Sequence, residues 1–186
     1  MKATRSASAA EGAAFTVPLG TRPKILSLYV LLETMNGVRI RLADCSEQKA
    51  PEALQLRASL TNTGNRDALL SQPEAIELPM EQIEVGAVFV AEWSGAIAGF
   101  SAILRRADGA TELDALFVEP DFRRRGIGRL LVEHCSNMVR RRGSTALHVI
   151  GNPHAEVFYR ECGFERMGMA ATRFGPGLLL RKIVTA

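Results

Sequence analysis

The segment Phe122–Leu131, FRRRGIGRLL, places three arginines and two glycines directly before an apolar run. Backbone N–H groups in a loop of this kind, and those in the first turn of a following helix, have no intrahelical acceptors and favour anions. Glycines at positions 126 and 128 allow the backbone to curl and an anion to approach without a Cβ in the way. The segment therefore predicts a phosphate-binding loop at the start of a helix.

Two nucleotide-binding motifs do not fit this segment. A Walker loop ends in Gly-Lys-Ser/Thr, whereas Arg129 follows Gly128. The dinucleotide fingerprint needs a third glycine, but Leu131 occupies that position, and no acidic residue ends the next apolar stretch at Ile150. A basic patch for nucleic acid, or a helix start with solvated arginines, stays open as an alternative.

Composition predicts one globular domain. The chain has 186 residues, of which 47% are apolar and 23% charged. We expect residues 1–34 to form an extension that is flexible or loosely docked, and residues 35–186 to form the domain. Met35 precedes the first clear strand pattern and is a candidate start of translation. The net charge of +3 is mild, yet arginines gather in the middle of the chain, which favours an anionic ligand.

The three cysteines, Cys45, Cys135 and Cys162, are odd in number and widely spaced. No His/Cys cluster accompanies them, which predicts a reduced, cytoplasmic protein without a metal site. No apolar run approaches the roughly 20 residues that a membrane-spanning helix needs, so we expect no membrane partner.

Hydrophobic periodicity predicts a mixed α/β fold. Alternating or continuous apolar runs predict strands at 38–42, 87–92, 96–104, 111–118, 145–150 and 177–184. Apolar residues at three- and four-residue steps predict helices from Ser46, over Gln72–Glu84 with a break at Pro79, over Gly128–Arg142, and at about His154–Cys162. The loop of interest thus lies between a strand and the strongest predicted helix.

Two stretches resemble the motifs of one family. LDALFVEPDFRRRGIGRLLVEHC is similar to the acyl-CoA-binding motif of the GNAT superfamily of N-acyltransferases, in which Arg/Gln-x-x-Gly-x-Gly/Ala follows a strand. LHVIGNPHAEVFYRECGF is similar to the second motif of that family. The resemblance implies a mixed, mostly antiparallel sheet of six to seven strands, flanked by about four helices and splayed between its two central strands.

The resemblance also implies a binding site for acetyl-CoA as acyl donor. The loop would hold the pyrophosphate chiefly through backbone amides, and the strand ending at Val118 would pair with the pantetheine arm. The implied cofactor-binding residues are Phe117, Val118, Arg123, Arg124, Arg125, Gly126, Ile127, Gly128, Arg129 and Asn152. No metal is implied.

Two residues are predicted to be catalytic. Tyr159, by its match to the second motif, is the expected acid for the CoA thiolate, although a buried core tyrosine is the structural alternative. Glu112 and Asp114 lie on one face of their strand by the period of two, and Glu112 is the preferred base. Either acid could instead be salt-bridged. His148 is interpreted as structural.

The predicted function is transfer of an acetyl group from acetyl-CoA to a primary amine by direct attack. A catalytically silent acyl-CoA-binding or regulatory module is the alternative, and a nucleic-acid binder is a second one. The amine could be a small molecule or a peptide, because the regions that the resemblance implies would select it, 50–84 and 165–177, carry no diagnostic charge pattern. No nucleic acid or membrane partner is expected. The resemblance implies a possible homodimer, because homodimers are common in the GNAT superfamily.

Overall fold

The computed structural model describes residues 34–35, 37–61, 76–172 and 175–184. The strands in these ranges are β1 (Thr34–Met35), β2 (Val38–Leu42), β3 (Val88–Trp93), β4 (Ala96–Arg105), β5 (Thr111–Val118), β6 (Ala146–Gly151), β7 (Glu165–Thr172) and β8 (Gly175–Ile183). The helices are α1 (Lys49–Leu60), α2 (Met80–Glu84), α3 (Ile127–Arg141) and α4 (Glu156–Glu161).

All of these strands belong to one sheet with the order β1-β2-β3-β4-β5-β6-β8-β7. Neighbouring strands are antiparallel except β5 and β6, which are parallel. The predicted fold class is confirmed, with seven longer strands and four helices. The two-residue β1 adds a short strand at the edge of the sheet.

The two parallel strands separate soon after they meet. Their aligned pairs involve only Thr111 and Glu112 of β5. Beyond Glu112, β5 stays paired with β4 as far as Val118, and β6 stays paired with β8 as far as Gly151. We call the wedge between residues 113–118 of β5 and 149–151 of β6 the β5–β6 gap.

A β-bulge interrupts the ladder between β4 and β5. The register shifts between Ala102 and Ile103, and Asp114 is the extra residue on β5. As a result, Leu113 and Leu116 lie in the same core cluster, although strict alternation would put them on opposite faces. The bulge thus re-aims the second half of β5, where it borders the gap.

Helix α3 covers one face of the sheet with an apolar stripe. Ile127, Leu131, Cys135 and Val139 recur at four-residue steps and are each at most 1% exposed. A Cβ added to Gly99 of β4 would lie 3.1 Å from Ile127 Cγ2. The helix therefore packs closely on the sheet because no side chain intervenes at Gly99.

Helices α1 and α2 cover the opposite face. Leu54 and Ala58 of α1 and Ile83 of α2 join a second core cluster with Phe100 and Phe117 of the sheet. The two phenyl rings stack with their centroids 5.4 Å apart. The middle of the sheet is thus enclosed on both faces, as a three-layer α/β arrangement requires.

The sequence pattern predicts a loop before Gly177, whereas the structure has strand β7 there. Met167 and Met169 of β7 are hydrophobic, yet their side chains are 49% and 48% exposed and not buried as a sequence pattern assumes. β7 lies at the end of the sheet and contains a register shift near Gly168. An exposed, irregular edge strand leaves little alternation for a sequence pattern to detect.

Other differences from the predicted elements are small. Residues 45–47 and 153–155 form 3₁₀ turns ahead of α1 and α4, where the sequence predicted continuous helices. Residues 1–33 and 62–75, with the predicted N-terminal extension and the start of the helix predicted at 72–84, lie outside the described residues. Among the helices that are described, none is long and apolar enough to cross a membrane.

Two arginine contacts tie the loop after β5 to the carboxyl end of α1. The Arg57 guanidinium donates to both carboxylate oxygens of Glu119, at 2.9 Å from Nε and 2.8 Å from Nη2. Arg123 Nη2 donates to Ala58 O at 3.0 Å and to Thr61 Oγ1 at 2.7 Å. The loop is therefore anchored on one side by α1 and on the other by α3.

Substituting Arg123 by methionine should destabilise the fold, because the two hydrogen bonds from its guanidinium to α1 are lost while the aliphatic stem is kept. We expect the free energy of unfolding in urea to fall by about 1–3 kcal/mol. The neighbouring Arg124 is exposed and makes no such contact, so Arg124→Met should change the free energy of unfolding by less than about 0.5 kcal/mol. Equal effects of the two substitutions would contradict the anchoring role.

Candidate active site

The loop between β5 and α3 curls through two residues in the left-handed conformation. The φ angle is 60° at Arg124 and 83° at Gly126. Gly126 is the N-cap of α3, and no side chain caps the first turn. Leu130 N donates back to Gly126 O, so the N–H groups of residues 127–129 precede the first intrahelical bond. We call Arg123–Arg129 the phosphate loop, because a left-handed turn that leads into a helix N-terminus is the kind of backbone that binds anions.

The two glycines of the loop have different roles. A Cβ added to Gly126 would meet no atom within 4 Å, so the loop is open there, and its φ favours glycine. A Cβ added to Gly128 would lie 3.3 Å from Phe158 Cζ and 3.6 Å from Val118 Cγ2. Gly128 therefore lets α3 approach α4 and the end of β5, in addition to its predicted role toward an anion.

The arginine side chains of the phosphate loop have separate surroundings. Arg123 is bound to α1, whereas Arg129 Nη2 lies 3.6 Å from Glu161 Oε2 in an exposed pair. The Arg125 guanidinium stacks over the ring of Trp93, with Cζ 5.0 Å from the ring centroid. Arg124 is exposed. This dispersal differs from a basic face with interleaved aromatics that would bind nucleic acid.

The contact between Arg125 and Trp93 was missed by the sequence analysis. Trp93 lies at the end of β3, 32 positions before Arg125, and no spacing rule relates a hairpin turn to a loop that far along the chain. Only the antiparallel pairing of β3 with β4, and of β4 with β5, brings the hairpin beside the phosphate loop.

The main chain at the end of β5 faces the β5–β6 gap. Glu119 N donates to Ala98 O of the neighbouring segment at 2.9 Å. Because peptide groups alternate in direction along a strand, Val118 N–H and C=O face the opposite way, into the gap. The peptide groups of Phe117 face β4, and its ring is in the core. The geometry thus favours Val118 over Phe117 among the predicted cofactor-binding residues.

Asn152 follows β6 at the far side of the gap and is 7% exposed. Its Oδ1 accepts a hydrogen bond from His154 N at 2.9 Å, so it caps the turn that leads into α4. With the oxygen engaged in this way, the amide nitrogen is the group that Asn152 can offer as a donor to a ligand.

Tyr159 is fully buried next to the end of β6. Its ring contacts Phe158 and Phe164, with centroids 5.3 Å and 5.5 Å away. A Cβ added to Gly151 would lie 2.7 Å from Tyr159 Cε2, so the ring occupies the space that a side chain there would fill. The hydroxyl has no hydrogen-bond partner among the described residues. Burial, and then the nearby Cys162, raise the pKa of Tyr159, so the hydroxyl keeps its proton at neutral pH.

Glu112 lies where β5 and β6 begin to separate, and it is 2% exposed. Its Oε2 is 3.8 Å from Arg106 Nη1. His148 is its aligned neighbour on β6, and burial, followed by the charge of Arg106, lowers the pKa of that imidazole. A neutral His148 beside a carboxylate is consistent with the structural role predicted for it.

Asp114, the other acid of β5, is 3% exposed and accepts a hydrogen bond from Gln82 Nε2 of α2 at 3.3 Å. Both predicted acids are therefore buried on the strand that borders the gap. They differ in surroundings, since Glu112 lies near an arginine and Asp114 is bound by an amide.

Two of the three cysteines, Cys135 and Cys162, are buried. Burial raises the pKa of Cys135 to about 12, and its Sγ lies 3.3 Å from Ser101 Oγ. Burial also raises the pKa of Cys162. Within the described ranges, no three His, Cys, Asp or Glu side chains come together in a way that could hold a metal ion.

Known proteins share this fold and part of this sequence. A family model described as an acetyltransferase (GNAT) domain matches residues 84–166. None of the curated protein sequences compared with the chain matches it.

Solved structures with the same fold include three acetyltransferase-type proteins. The PaiA N-acetyltransferase from Thermoplasma acidophilum, in complex with coenzyme A, is 14% identical over 78% of this chain and 98% of its own, with a TM-score of 0.67. The YncA structure from Salmonella typhimurium, with its cofactor acetyl-CoA, is 21% identical over 79% and 94%, with a TM-score of 0.58. The ribosomal-protein-S18-alanine N-acetyltransferase from Escherichia coli is 20% identical over 80% and 95%, with a TM-score of 0.57. These structures support the fold, and the family model supports the motifs. Residues 84–166, which contain both motifs, match the model of the GNAT acetyltransferase domain, as the motifs predicted.

Proposed function

We propose that this protein transfers the acetyl group of acetyl-CoA to a primary amine by direct nucleophilic attack. The observation that carries the proposal is the position of the phosphate loop beside the β5–β6 gap, with Val118 N–H and C=O facing that gap. The phosphate loop suits a diphosphate, and the β5–β6 gap suits an extended arm that contains amide groups. Coenzyme A has both groups in one molecule.

The residues present fit coenzyme A. The open side of the loop at Gly126 admits a pyrophosphate, which its backbone N–H groups would bind. The C=O of Val118 would accept a hydrogen bond from a pantetheine amide in the manner of an added strand, and the Asn152 amide would donate from β6. Coenzyme A in the PaiA structure and acetyl-CoA in the YncA structure support this assignment.

Acetyl-CoA, when bound, supplies a thioester whose carbonyl carbon accepts the amine. The Val118 N–H is the proposed donor to the carbonyl oxygen as negative charge develops there. A fixed backbone dipole suits this task, because it needs no reorganisation during the reaction.

Tyr159 is the proposed acid that gives a proton to the departing thiolate. Its buried hydroxyl has a raised pKa and no hydrogen-bond partner among the described residues, so it is protonated and available as a donor. A buried polar group left without a partner costs about 1–3 kcal/mol, and a role in binding or catalysis accounts for its retention.

Glu112 is the proposed base. An alkyl ammonium has a pKa of about 10 and is mostly protonated at neutral pH, so the amine must lose a proton before it attacks. Glu112 lies at the closed end of the gap, on the strand that carries Val118, and would take this proton through a chain of water molecules. The amine acceptor is either a small molecule or a peptide.

A Gly126→Asp substitution should weaken acetyl-CoA binding about 100-fold, because a side chain and a negative charge enter the phosphate loop. Gly109→Asp is the matched control. Its φ of 82° is close to the 83° of Gly126, and a Cβ there also meets nothing within 4 Å, so the backbone strain is alike. Calorimetric titration with acetyl-CoA measures both. If Gly126→Asp bound acetyl-CoA with wild-type affinity, the loop would be excluded as the pyrophosphate site. If the wild-type protein did not bind acetyl-CoA, the proposed acetyl transfer would be excluded.

Replacing Tyr159 by phenylalanine should lower turnover about 10²- to 10⁴-fold, because the acid for the leaving thiolate is removed. Acetyl-CoA affinity should be kept and stability in urea should rise, since the lost hydroxyl is buried and has no partner among the described residues. In the wild type, the raised pKa means that the rate should not fall with rising pH until the pH passes 10.0, the ordinary value for tyrosine. Unchanged turnover in Tyr159→Phe would assign proton delivery to water.

The role of Glu112 can be separated from that of its neighbour by comparing Glu112→Gln with Asp114→Asn. We expect kcat for amine acetylation to fall about 10²- to 10⁴-fold in the first and less than about tenfold in the second. Acetyl-CoA affinity, measured by calorimetry, should be similar in both. A larger loss in Asp114→Asn would move the base to that residue. Acetyl-CoA binding by the wild type without turnover of any amine would favour the silent-module alternative.

A further inference from the structure

The Arg125 side chain lies on an aromatic shelf formed by Trp93 and Phe122. Its Cζ is 5.0 Å from the Trp93 ring centroid and 5.6 Å from that of Phe122. The two rings are 5.6 Å apart and tilted by 41°, and both pack against the main core cluster. A cation over such faces is attracted by the negative face of the rings. The shelf therefore gives an otherwise flexible side chain a preferred orientation.

Stacking leaves the hydrogen-bonding edge of the guanidinium available. Arginine stacks through the face of its planar group, while its five N–H donors lie in the plane. The contacts of Arg125 with other described residues are these ring contacts, whereas the guanidinium of Arg123 is bound to α1 and that of Arg129 lies near Glu161. Arg125 thus offers the two-pronged geometry that suits a phosphate dianion.

The shelf and the β5–β6 gap lie on opposite sides of the phosphate loop. Trp93 ends β3, which β4 separates from β5, whereas β6 lies on the other side of β5. A pantetheine arm in the gap and a group bound to Arg125 would therefore extend from the loop in opposite directions. In coenzyme A, the pyrophosphate separates the arm from the adenosine ribose, which carries a 3′-phosphate. That phosphate is the dianion left for Arg125.

We propose that Arg125, oriented by Trp93 and Phe122, binds the ribose 3′-phosphate and makes the protein select coenzyme A over dephospho-coenzyme A. The inference rests on the proposed function, since it takes the loop as the pyrophosphate site. Arg125 is the binding residue, and Trp93 is a positioning residue that acts through it. The specificity lies in the adenosine end of the donor and is independent of the amine acceptor.

Calorimetric titration with coenzyme A and with dephospho-coenzyme A tests the assignment. The wild type should bind coenzyme A about 10- to 100-fold more tightly. Arg125→Gln should lose most of this preference while its affinity for dephospho-coenzyme A changes less than about threefold. Arg105→Gln, which removes the same charge from an exposed position at the far end of β4, should keep the preference. Equal losses for both nucleotides in Arg125→Gln would overturn the assignment.

A double-mutant cycle tests the positioning role of Trp93. Trp93→Leu should lower the preference for coenzyme A about two- to fivefold, and Trp93→Phe should restore part of it because an aromatic face is kept. In the Arg125→Gln background, Trp93→Leu should have no further effect on the preference. If Trp93 only stabilised its hairpin, Trp93→Leu would lower the affinity for both nucleotides equally. Its effect would also add to the effect of Arg125→Gln. Either result would overturn the positioning role.

Fluorescence gives an independent readout, because Trp93 is the single tryptophan of the chain. Coenzyme A should change its emission by drawing the stacked guanidinium toward the phosphate, and dephospho-coenzyme A should change it much less. In Arg125→Gln the two nucleotides should have the same effect. Failure of the wild type to bind either nucleotide would refute the proposed function itself. Binding of both with equal affinity would refute only the selection by Arg125.

Discussion

The separation of β5 from β6 after two aligned residues is the constraint on which the site depends. Parallel strands normally continue to pair, because unpaired peptide groups must find other partners. Here the outer neighbours, β4 and β8, stay paired with β5 and β6 to the ends of these two strands, and the bulge at Asp114 re-aims β5. The peptide groups of Val118 are left facing the gap. A ligand with amide groups of its own can satisfy them.

The close packing of the elements around the gap depends on three glycines. Helix α3 approaches β4 at Gly99, α4 approaches α3 at Gly128, and the Tyr159 ring occupies the space next to Gly151. A side chain at any of these positions would push apart elements that set the width of the gap. The same packing buries the Tyr159 hydroxyl and raises its pKa. The packing that stabilises the fold therefore also keeps the proposed acid protonated.

The charges of the phosphate loop divide between structure and binding. Arg123 links the loop to α1, which also holds Glu119 through Arg57. Arg125 is oriented by aromatic rings and keeps its donors exposed. The loop therefore combines a fixed backbone with an oriented cation. A row of solvated arginines would instead attract anions with little discrimination.

The sequence by itself determined the local parts of this protein. Glycine spacing predicted the loop, apolar periodicity predicted α3 and the central strands, and two motifs predicted the similarity to the GNAT acetyltransferase model. These features are readable because they depend on neighbours within a few positions along the chain. Edge strand β7 was missed, because its two methionines are exposed and its hydrophobic residues do not follow the burial of the strand. Tertiary structure alone decided which groups meet: the bulge at Asp114, the anchoring of Arg123 on α1 and the stacking of Arg125 on Trp93. Each joins distant segments through strand register or packing, and a linear pattern of residue types does not contain that information.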